Sequence, residues 1–237
     1  MHLSQFKKIY DTKGKAMNLL FSALTKFMIG LILVAALLFL PTETLCFWNA
    51  WLFLLLLFLP ILLVGIMLYL KNPDLLKKRL NAKEKIKTQD FVAKASALMF
   101  LVGFLTAGFD KKYNWSDVPL WLVALSSVIM LFSYALYANV LNENAFLSRT
   151  IEVQEKQTVV TTGPYAVVRH PMYTATIFLF LSIPLVLGSY YSLICFLPYL
   201  PLIVIRIQSE ERFLEKNLSG YREYKEKVKY RLLPYIW

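Results

Sequence analysis

Long apolar runs separated by short polar segments set the pattern of this chain. Four of them, at residues 21–40, 46–70, 91–109 and 118–141, are long and mainly apolar. A helix needs about 20 apolar residues to cross the hydrocarbon core of a bilayer, where the backbone has to satisfy its own hydrogen bonds. The pattern therefore predicts four membrane-spanning helices within the first 141 residues.

The last apolar run, residues 172–205, contains no charged side chain. A single helix of that length would extend about 50 Å, against a hydrocarbon core about 30 Å thick. Gly188 and Ser189 stand in its middle and are typical of a turn. We therefore predict a tight hairpin of two helices, residues 172–187 and 190–205. Three prolines are expected to kink these helices: Pro184, Pro198 and Pro201.

The composition agrees with a membrane protein. Hydrophobic residues make up 58% of the 237-residue chain and charged residues 17%, whereas a soluble domain is about 25% charged. The predicted fold is an all-α integral membrane protein with about six transmembrane helices, the last two forming the hairpin. We divide the chain into an N-terminal four-helix region, residues 1–141, and a C-terminal region, residues 142–237.

Lysine and arginine concentrate in the N-terminal segment, in the loop at residues 71–90 and in the C-terminal tail. With six helices these segments fall on one side, which the positive-inside rule makes cytoplasmic. We expect a multi-pass protein with both termini in the cytoplasm, in a prokaryotic plasma membrane or, in a eukaryote, the endoplasmic reticulum. The formal net charge of +11 is then attributed to contact with anionic lipid rather than nucleic acid.

Two polar segments flank the predicted hairpin, VVRHPMY before it and RIQSEERFL after it. Because a hairpin returns to the side on which it starts, the topology brings both segments to one membrane surface. Arg206 and Glu210 are four residues apart and share a helix face if the helix continues past the apolar run. Simpler interpretations stay open: an interfacial anchor for Arg169 and His170, and a solvated ion pair for Arg206 and Glu210.

Several common catalytic patterns are missing from the sequence. His2 and His170 are its only histidines, and it contains no HExxH, CxxC or GxSxG motif. The eight glycines form neither GxGxxG nor a P-loop, so a soluble-type nucleotide site is not expected. We predict no metal ion, and any nucleotide-like cofactor has to be held in another way.

Taken together, the polar segments carry a family resemblance. TTGPYAVVRHPMY before the hairpin, RIQSEERFL after it and the terminal GYREYKEKVKYRLLPYIW resemble the isoprenylcysteine carboxyl methyltransferase family. The shared pattern is GPYxxVRHPxY, an apolar hairpin, RxxxEE and a final YxxYxxxV. The resemblance covers residues 154–237, whereas the four preceding helices carry no recognisable motif.

The resemblance implies S-adenosylmethionine as cofactor, bound at the cytoplasmic face between the hairpin and the C-terminal segment. It places Arg206 at the methyl acceptor, makes Arg206 and Glu210 the catalytic residues, and gives Arg169 and Glu211 a supporting role. Carried over by position, the cofactor contacts are Gln154, Gln157, Thr158, Val159, Val160, Tyr165, His170, Pro171, Met172, Tyr173 and Glu210.

The leading hypothesis is therefore transfer of a methyl group to a lipophilic acceptor from the bilayer, with a prenylcysteine-type carboxylate as the first candidate. Related enzymes with the same C-terminal pattern methylate phospholipid amines or small thiols, so those acceptors stay open. Two alternatives come from other classes: a sterol-type reductase that uses NADPH, and a non-catalytic membrane scaffold. The sequence leaves the oligomeric state open.

Overall fold

A computed structural model describes residues 2–80, 86–147 and 152–237 of the chain, with side chains from residue 17 onward. The regular structure of these residues is helical, so the all-α prediction is confirmed. A 3₁₀-helix lies at Gly163–Ala166. The α-helices are α1 (His2–Thr42), α2 (Trp48–Lys71), α3 (Pro73–Leu80), α4 (Lys87–Tyr113), α5 (Leu120–Glu143), α6 (Pro171–Val186), α7 (Tyr190–Phe196), α8 (Tyr199–Asn217) and α9 (Tyr221–Lys227).

Among the described residues, five helical segments are long and apolar enough to cross a membrane, which indicates a multi-pass integral membrane protein. They are Met17–Thr42, Trp48–Lys71, Lys87–Tyr113, Leu120–Glu143 and Tyr190–Asn217. The remaining apolar helix, α6, has 16 residues. At 1.5 Å per residue it is about 24 Å long, shorter than a hydrocarbon core of about 30 Å. The count of six spans therefore stays a prediction.

Helix α3 lies in the segment at residues 71–90, for which the sequence analysis expects only a basic loop. The Asn72 side chain accepts a hydrogen bond from the Leu75 amide at 3.1 Å, and Pro73 is the first helical residue. This asparagine cap followed by proline is a local helix-start signal. Leu75 and Leu76 are buried against neighbouring helices while Lys77 is exposed, so α3 is a short amphipathic helix.

The predicted hairpin is present, and its second arm is broken once. Gly188 makes the turn with a φ of 76°, and Ser189 caps α7 by accepting from the Ser192 amide. At Pro198, which has no N–H to donate, α7 ends and α8 begins. The second arm then continues past residue 205 to Asn217, so Arg206 and Glu210 lie on one helix as expected.

Helix α6 lies inside the bundle, with α5, α7, α8 and α2 packed around it. Aromatic rings join it to α4 and α7: the Phe100 centroid lies 4.8 Å from that of Phe180 and 5.3 Å from that of Phe196. A Cβ at Gly103 would come within 2.3 Å of the Phe196 ring. The glycine therefore allows α7 to approach α4 closely. This packing fixes the α6–α8 hairpin, which carries VVRHPMY where it begins and RIQSEERFL in its second arm.

Candidate active site

A cleft lies where α6 begins and α8 passes it, with about 830 Å³ of empty space when the open solvent at its mouth is included. Its walls come from the segment after α5, the 3₁₀-helix, the start of α6, α8 and α9. The lining residues are Asn144, Phe146, Leu147, Glu152, Gln157, Thr158, Val159, Val160, Tyr165, Arg169, His170, Met172, Tyr173, Arg206, Glu210, Leu214, Leu218, Tyr221 and Tyr224.

A buried carboxylate, that of Glu211, joins the two polar segments beside this cleft. It is 3% exposed and accepts from Arg169 Nε at 2.8 Å and from Arg231 Nε at 3.0 Å. His170 Nε2 lies 3.2 Å from the same carboxylate. Charge-assisted bonds of this kind hold both segments firmly. VVRHPMY and RIQSEERFL are therefore in contact, as predicted. Their position at a membrane surface stays a prediction.

Arg169 also fixes the C-terminal segment. Its Nη1 donates to the carbonyl oxygens of Val228 and Lys229 at 2.7 and 2.8 Å. The amides of Arg169 and His170 donate to the carbonyls of Tyr230 and Arg231, each at 2.9 Å. Because Arg169 is only 6% exposed, the interfacial-anchor interpretation of this arginine is wrong. Its charge is held by protein groups, as a supporting role requires.

The Tyr173 hydroxyl connects the two residues predicted to be catalytic. It accepts from Arg206 Nε at 2.9 Å and donates to Glu210 Oε2 at 2.5 Å. The Arg206 guanidinium also lies 5.8 Å from the centre of the Tyr173 ring. Arg206 and Glu210 are half-buried in the cleft wall, and the hydroxyl of Tyr173 on α6 lies between them. The simple interpretation as a solvated ion pair is therefore wrong.

Three tyrosines form another part of the cleft wall. Tyr224 donates to the Tyr165 carbonyl oxygen at 2.8 Å, and Asn144 Nδ2 donates to the Tyr165 hydroxyl at 3.0 Å. Burial raises the pKa of Tyr165 to about 12 and also raises the pKa of Tyr221 and of Tyr224, so all three are neutral near pH 7. Within the described residues, the buried Tyr221 hydroxyl has no hydrogen-bond partner.

Most residues predicted for the site line this cleft, and three do not. Gln154 is engaged elsewhere: its Oε1 accepts from Lys78 at 2.5 Å and its Nε2 donates to the Phe146 carbonyl at 2.7 Å. Pro171 is the first residue of α6 and does not line the cleft, and Glu211 lies behind it. Residues 157–160 have no regular secondary structure. Those that do line it are Gln157, Thr158, Val159, Val160, Tyr165, Arg169, His170, Met172, Tyr173, Arg206 and Glu210.

Several other lining residues were not predicted from the sequence. Tyr221 and Tyr224 belong to the quoted YxxYxxxV pattern, whose spacing places both on one face of a helix. The sequence carries no comparable signal for the other lining residues. They line the cleft because the segment after α5 and the last turns of α8 pass beside it. These are Asn144, Phe146, Leu147, Glu152, Leu214 and Leu218.

A contact from the N-terminal region reaches the site through α8. Gln89, fully buried in the first turn of α4, donates from Nε2 to the Arg206 carbonyl oxygen at 3.1 Å. Its Oε1 has no partner among the residues that the structure describes. Gln89 therefore holds the backbone of Arg206 in place.

Comparison with known proteins adds one match. The family model described as phospholipid methyltransferase matches residues 118–220, a stretch that runs from just before α5 to the residue preceding α9. It contains the cleft residues from Asn144 to Leu218. No curated protein matches the chain.

Proposed function

We propose that this chain is a membrane methyltransferase of the phospholipid methyltransferase family, whose model matches residues 118–220, and that it uses S-adenosylmethionine to methylate a lipophilic carboxylate. The family match itself implies a membrane methyltransferase.

The observation that carries the proposal is the Arg206–Tyr173–Glu210 chain of hydrogen bonds in the cleft wall. It puts a cationic group and an anionic group next to each other, linked by one neutral hydroxyl. A reaction between a cationic methyl donor and an anionic acceptor requires both kinds of group at one place. The pairing therefore suits two ligands of opposite charge that meet in the cleft.

The cleft offers groups that fit S-adenosylmethionine. Glu210 would pair with its ammonium through a charge-assisted bond. The start of α6 offers the amide of Met172, next to Tyr173 and Thr174, whose amides already donate to the His170 carbonyl, and a helix N-terminus suits a carboxylate. Tyr165 and Tyr173 line the cleft, and tyrosine rings attract a cation such as the sulfonium. The Tyr221 hydroxyl, buried without a partner among the described residues, would bond a polar edge of the ligand.

The bound cofactor supplies a methyl group already activated for transfer by its attachment to a positively charged sulfur. What remains for the protein is alignment and exclusion of water, and positioning alone contributes about 7–11 kcal/mol in favourable cases. Arg206 would orient the acceptor carboxylate through its guanidinium. A carboxylate is ionised at neutral pH, so no residue of the cleft needs to remove a proton from it.

A phospholipid amine is the second candidate acceptor, because the matching family is described by phospholipid methylation. An ammonium headgroup would have to lose a proton before it could accept a methyl group. It would also meet the positive charge of Arg206 in the cleft wall. Glu152 and Glu210 line the same cleft and provide the compensating acids in that case. The position of Arg206 favours the carboxylate.

The acceptor is tested by a transfer assay with labelled S-adenosylmethionine and the purified full chain in lipid nanodiscs. Prenylcysteine analogues, phosphatidylethanolamine and small thiols are offered separately. We expect label in an alkali-labile methyl ester of the prenylcysteine analogue, and an Arg206→Ala variant that loses most of this transfer. Label found only in phosphatidylethanolamine or only in a thiol would refute the carboxylate assignment.

The cofactor site is tested by binding of S-adenosylhomocysteine. Glu210→Ala is expected to abolish binding, whereas Glu223→Ala, an exposed glutamate on α9, serves as control and should bind normally. Unchanged affinity of the Glu210→Ala variant would overturn the site assignment. Protection from thermal unfolding by NADPH but not by S-adenosylhomocysteine would favour the reductase class, and protection by neither would favour the scaffold.

A further inference from the structure

A second concave surface, an apolar groove, lies between α1 and α2 and is closed at one end by α3. It holds about 940 Å³ of empty space. Two glycines open it: in the described part of the chain no atom lies within 4 Å of a Cβ built on Gly65, and a Cβ on Gly30 would meet only the Phe58 ring, at 3.8 Å. Leu76 and Leu80 of α3 line the closed end. None of the residues of the proposed catalytic cleft lines this groove.

The length of the groove matches the depth of one membrane leaflet. On α1 the lining residues extend from Leu20 to Gly30, and on α2 from Phe58 to Tyr69. At 1.5 Å per residue each stretch is about 15 Å long, which is half of a hydrocarbon core of about 30 Å. A single acyl chain from one leaflet therefore has the length to fill the groove.

The groove also has one cationic end. Lys26 lines it, and its ammonium donates to the Leu80 carbonyl oxygen at the end of α3, at 2.8 Å. An ammonium has three donors, so this bond leaves two for another acceptor. Lys71 at the end of α2 and Lys77 of α3 are exposed in the same part of the chain. An apolar slot with a basic end complements a lipid that has an anionic headgroup.

We propose that the groove binds one anionic phospholipid, with an acyl chain between α1 and α2 and its phosphate at Lys26. The bound lipid would complete the packing of α3, whose Leu76 and Leu80 would contact the chain. On its other side α3 borders the catalytic cleft, since Arg79 Nη1 lies 4.0 Å from the Met172 sulfur. The proposal does not depend on which methyl acceptor the cleft takes.

Two substitutions test the two halves of this site in the full-length protein. Gly65→Leu fills the groove at a position with free space, and Lys26→Ala removes the cationic end. Each has a matched control outside the groove: Ala97→Leu adds the same side chain at an exposed position of α4, and Lys94→Ala removes an exposed ammonium paired with Asp90. Monodisperse elution and a thermal unfolding transition near that of the unaltered protein establish that each variant is folded.

The measurement is native mass spectrometry of delipidated protein titrated with dioleoylphosphatidylglycerol or, separately, dioleoylphosphatidylcholine. We expect one retained phosphatidylglycerol per unaltered chain, bound about tenfold more tightly than phosphatidylcholine. Gly65→Leu should lose retention, Lys26→Ala should lose the preference, and both controls should behave like the unaltered chain. Equal retention by Gly65→Leu, an unchanged preference in Lys26→Ala, or no retained lipid at all would overturn the proposal. Competitive displacement of the lipid by a prenylcysteine analogue would assign the groove to the acceptor instead.

Discussion

A buried carboxylate lies at each end of the α6–α8 hairpin. The groups that donate hydrogen bonds to these two carboxylates differ in charge. At the cleft end Glu211 accepts from the guanidinium groups of Arg169 and Arg231. At the turn end Asp110 of α4, 2% exposed, accepts from the Ser116 amide at 2.7 Å and from the Ser116 hydroxyl at 2.6 Å. It also accepts from the Ser189 hydroxyl.

This difference separates a polar cluster that holds helices together from one that borders a site. Around Asp110 the hydroxyls and amides bond one another within the cluster. The Ser189 hydroxyl also accepts from the Ser192 amide, and the Ser116 hydroxyl accepts from the Tyr190 amide. Beside Glu211 the groups continue into an open cleft, with a tyrosine hydroxyl at Tyr221 that has no partner in the described residues. A buried carboxylate alone therefore does not indicate function.

The largest effect is expected from breaking the cleft-end network. Glu211→Gln leaves the buried Arg169 guanidinium without its carboxylate, and removing one partner of a buried ion pair costs about 3–5 kcal/mol. Thermal unfolding in detergent should show a marked decrease in the midpoint. Glu223→Gln, on the surface of α9, is the control and should change stability by less than about 0.5 kcal/mol. A Glu211→Gln variant as stable as the unaltered chain would show that Arg169 is held by the backbone carbonyls alone.

At the turn end the expected loss is smaller and does not reach the cleft. Asp110→Asn replaces hydrogen bonds to a charged acceptor, which contribute about 1.5–3 kcal/mol in such settings, by weaker neutral ones. We expect a lower unfolding midpoint with unchanged affinity for S-adenosylhomocysteine. Asp117→Asn, exposed in the loop between α4 and α5, is the matched control. A loss of cofactor-analogue binding in Asp110→Asn would mean that the two ends are coupled.

A third change acts on the acceptor side of the cleft alone. Gln89→Leu removes the donor to the Arg206 carbonyl, and a hydrogen bond of this kind contributes about 0.5–1.5 kcal/mol. With Arg206 held less firmly, we expect KM for the methyl acceptor to rise about three- to tenfold while affinity for S-adenosylhomocysteine stays the same. Gln208→Leu, exposed on α8, should leave both unchanged. An unaltered KM in Gln89→Leu would remove Gln89 from the site.

The smallest effect distinguishes the two tyrosines of α9. Tyr221→Phe removes a hydroxyl that bonds no other group in the described residues, so stability should not fall, whereas affinity for S-adenosylhomocysteine should fall about two- to fivefold. Tyr224→Phe loses the bond to the Tyr165 carbonyl and should cost about 1 kcal/mol of stability instead. Calorimetric titration and thermal unfolding of both variants give the comparison. Equal affinity of Tyr221→Phe and the unaltered chain would exclude this hydroxyl from the ligand.

Features that depend on short stretches of sequence were predictable. The apolar runs determine the four long helices before the hairpin, and Gly188 determines its turn because the chain adopts a positive φ there. That the segment of Arg169 meets the segment of Glu211 followed from topology alone, whereas the pairing of these two side chains was not predicted. The identity of the cleft-facing glutamate did not, because Glu210 and Glu211 are about 100° apart on one helix and only the packed neighbours decide which is buried.

Features that depend on packing between distant segments were not predictable. The cap at Asn72 is a local signal for α3, but the surrounding residues are so rich in lysine and arginine that the sequence predicted a loop instead. The role of Gln89 depends on α4 lying beside α8, and the sequence carries no mark of that contact. Gln154 bonds Lys78 and Phe146 because α3 lies against the segment that follows α5. A motif gives the residue types of a site, and the packing of the remaining helices decides which of them face the ligand.

The Tyr173 hydroxyl has one hydrogen, and this has a consequence for how the two ligands of the proposed reaction bind. In the structure that hydrogen points to Glu210 while the oxygen accepts from Arg206. A ligand that engages Glu210 competes with Tyr173 and changes what the tyrosine offers on the Arg206 side. Occupancy of one half of the cleft then alters the affinity of the other half. Such cooperativity is reciprocal, so the acceptor has to influence cofactor affinity by the same factor.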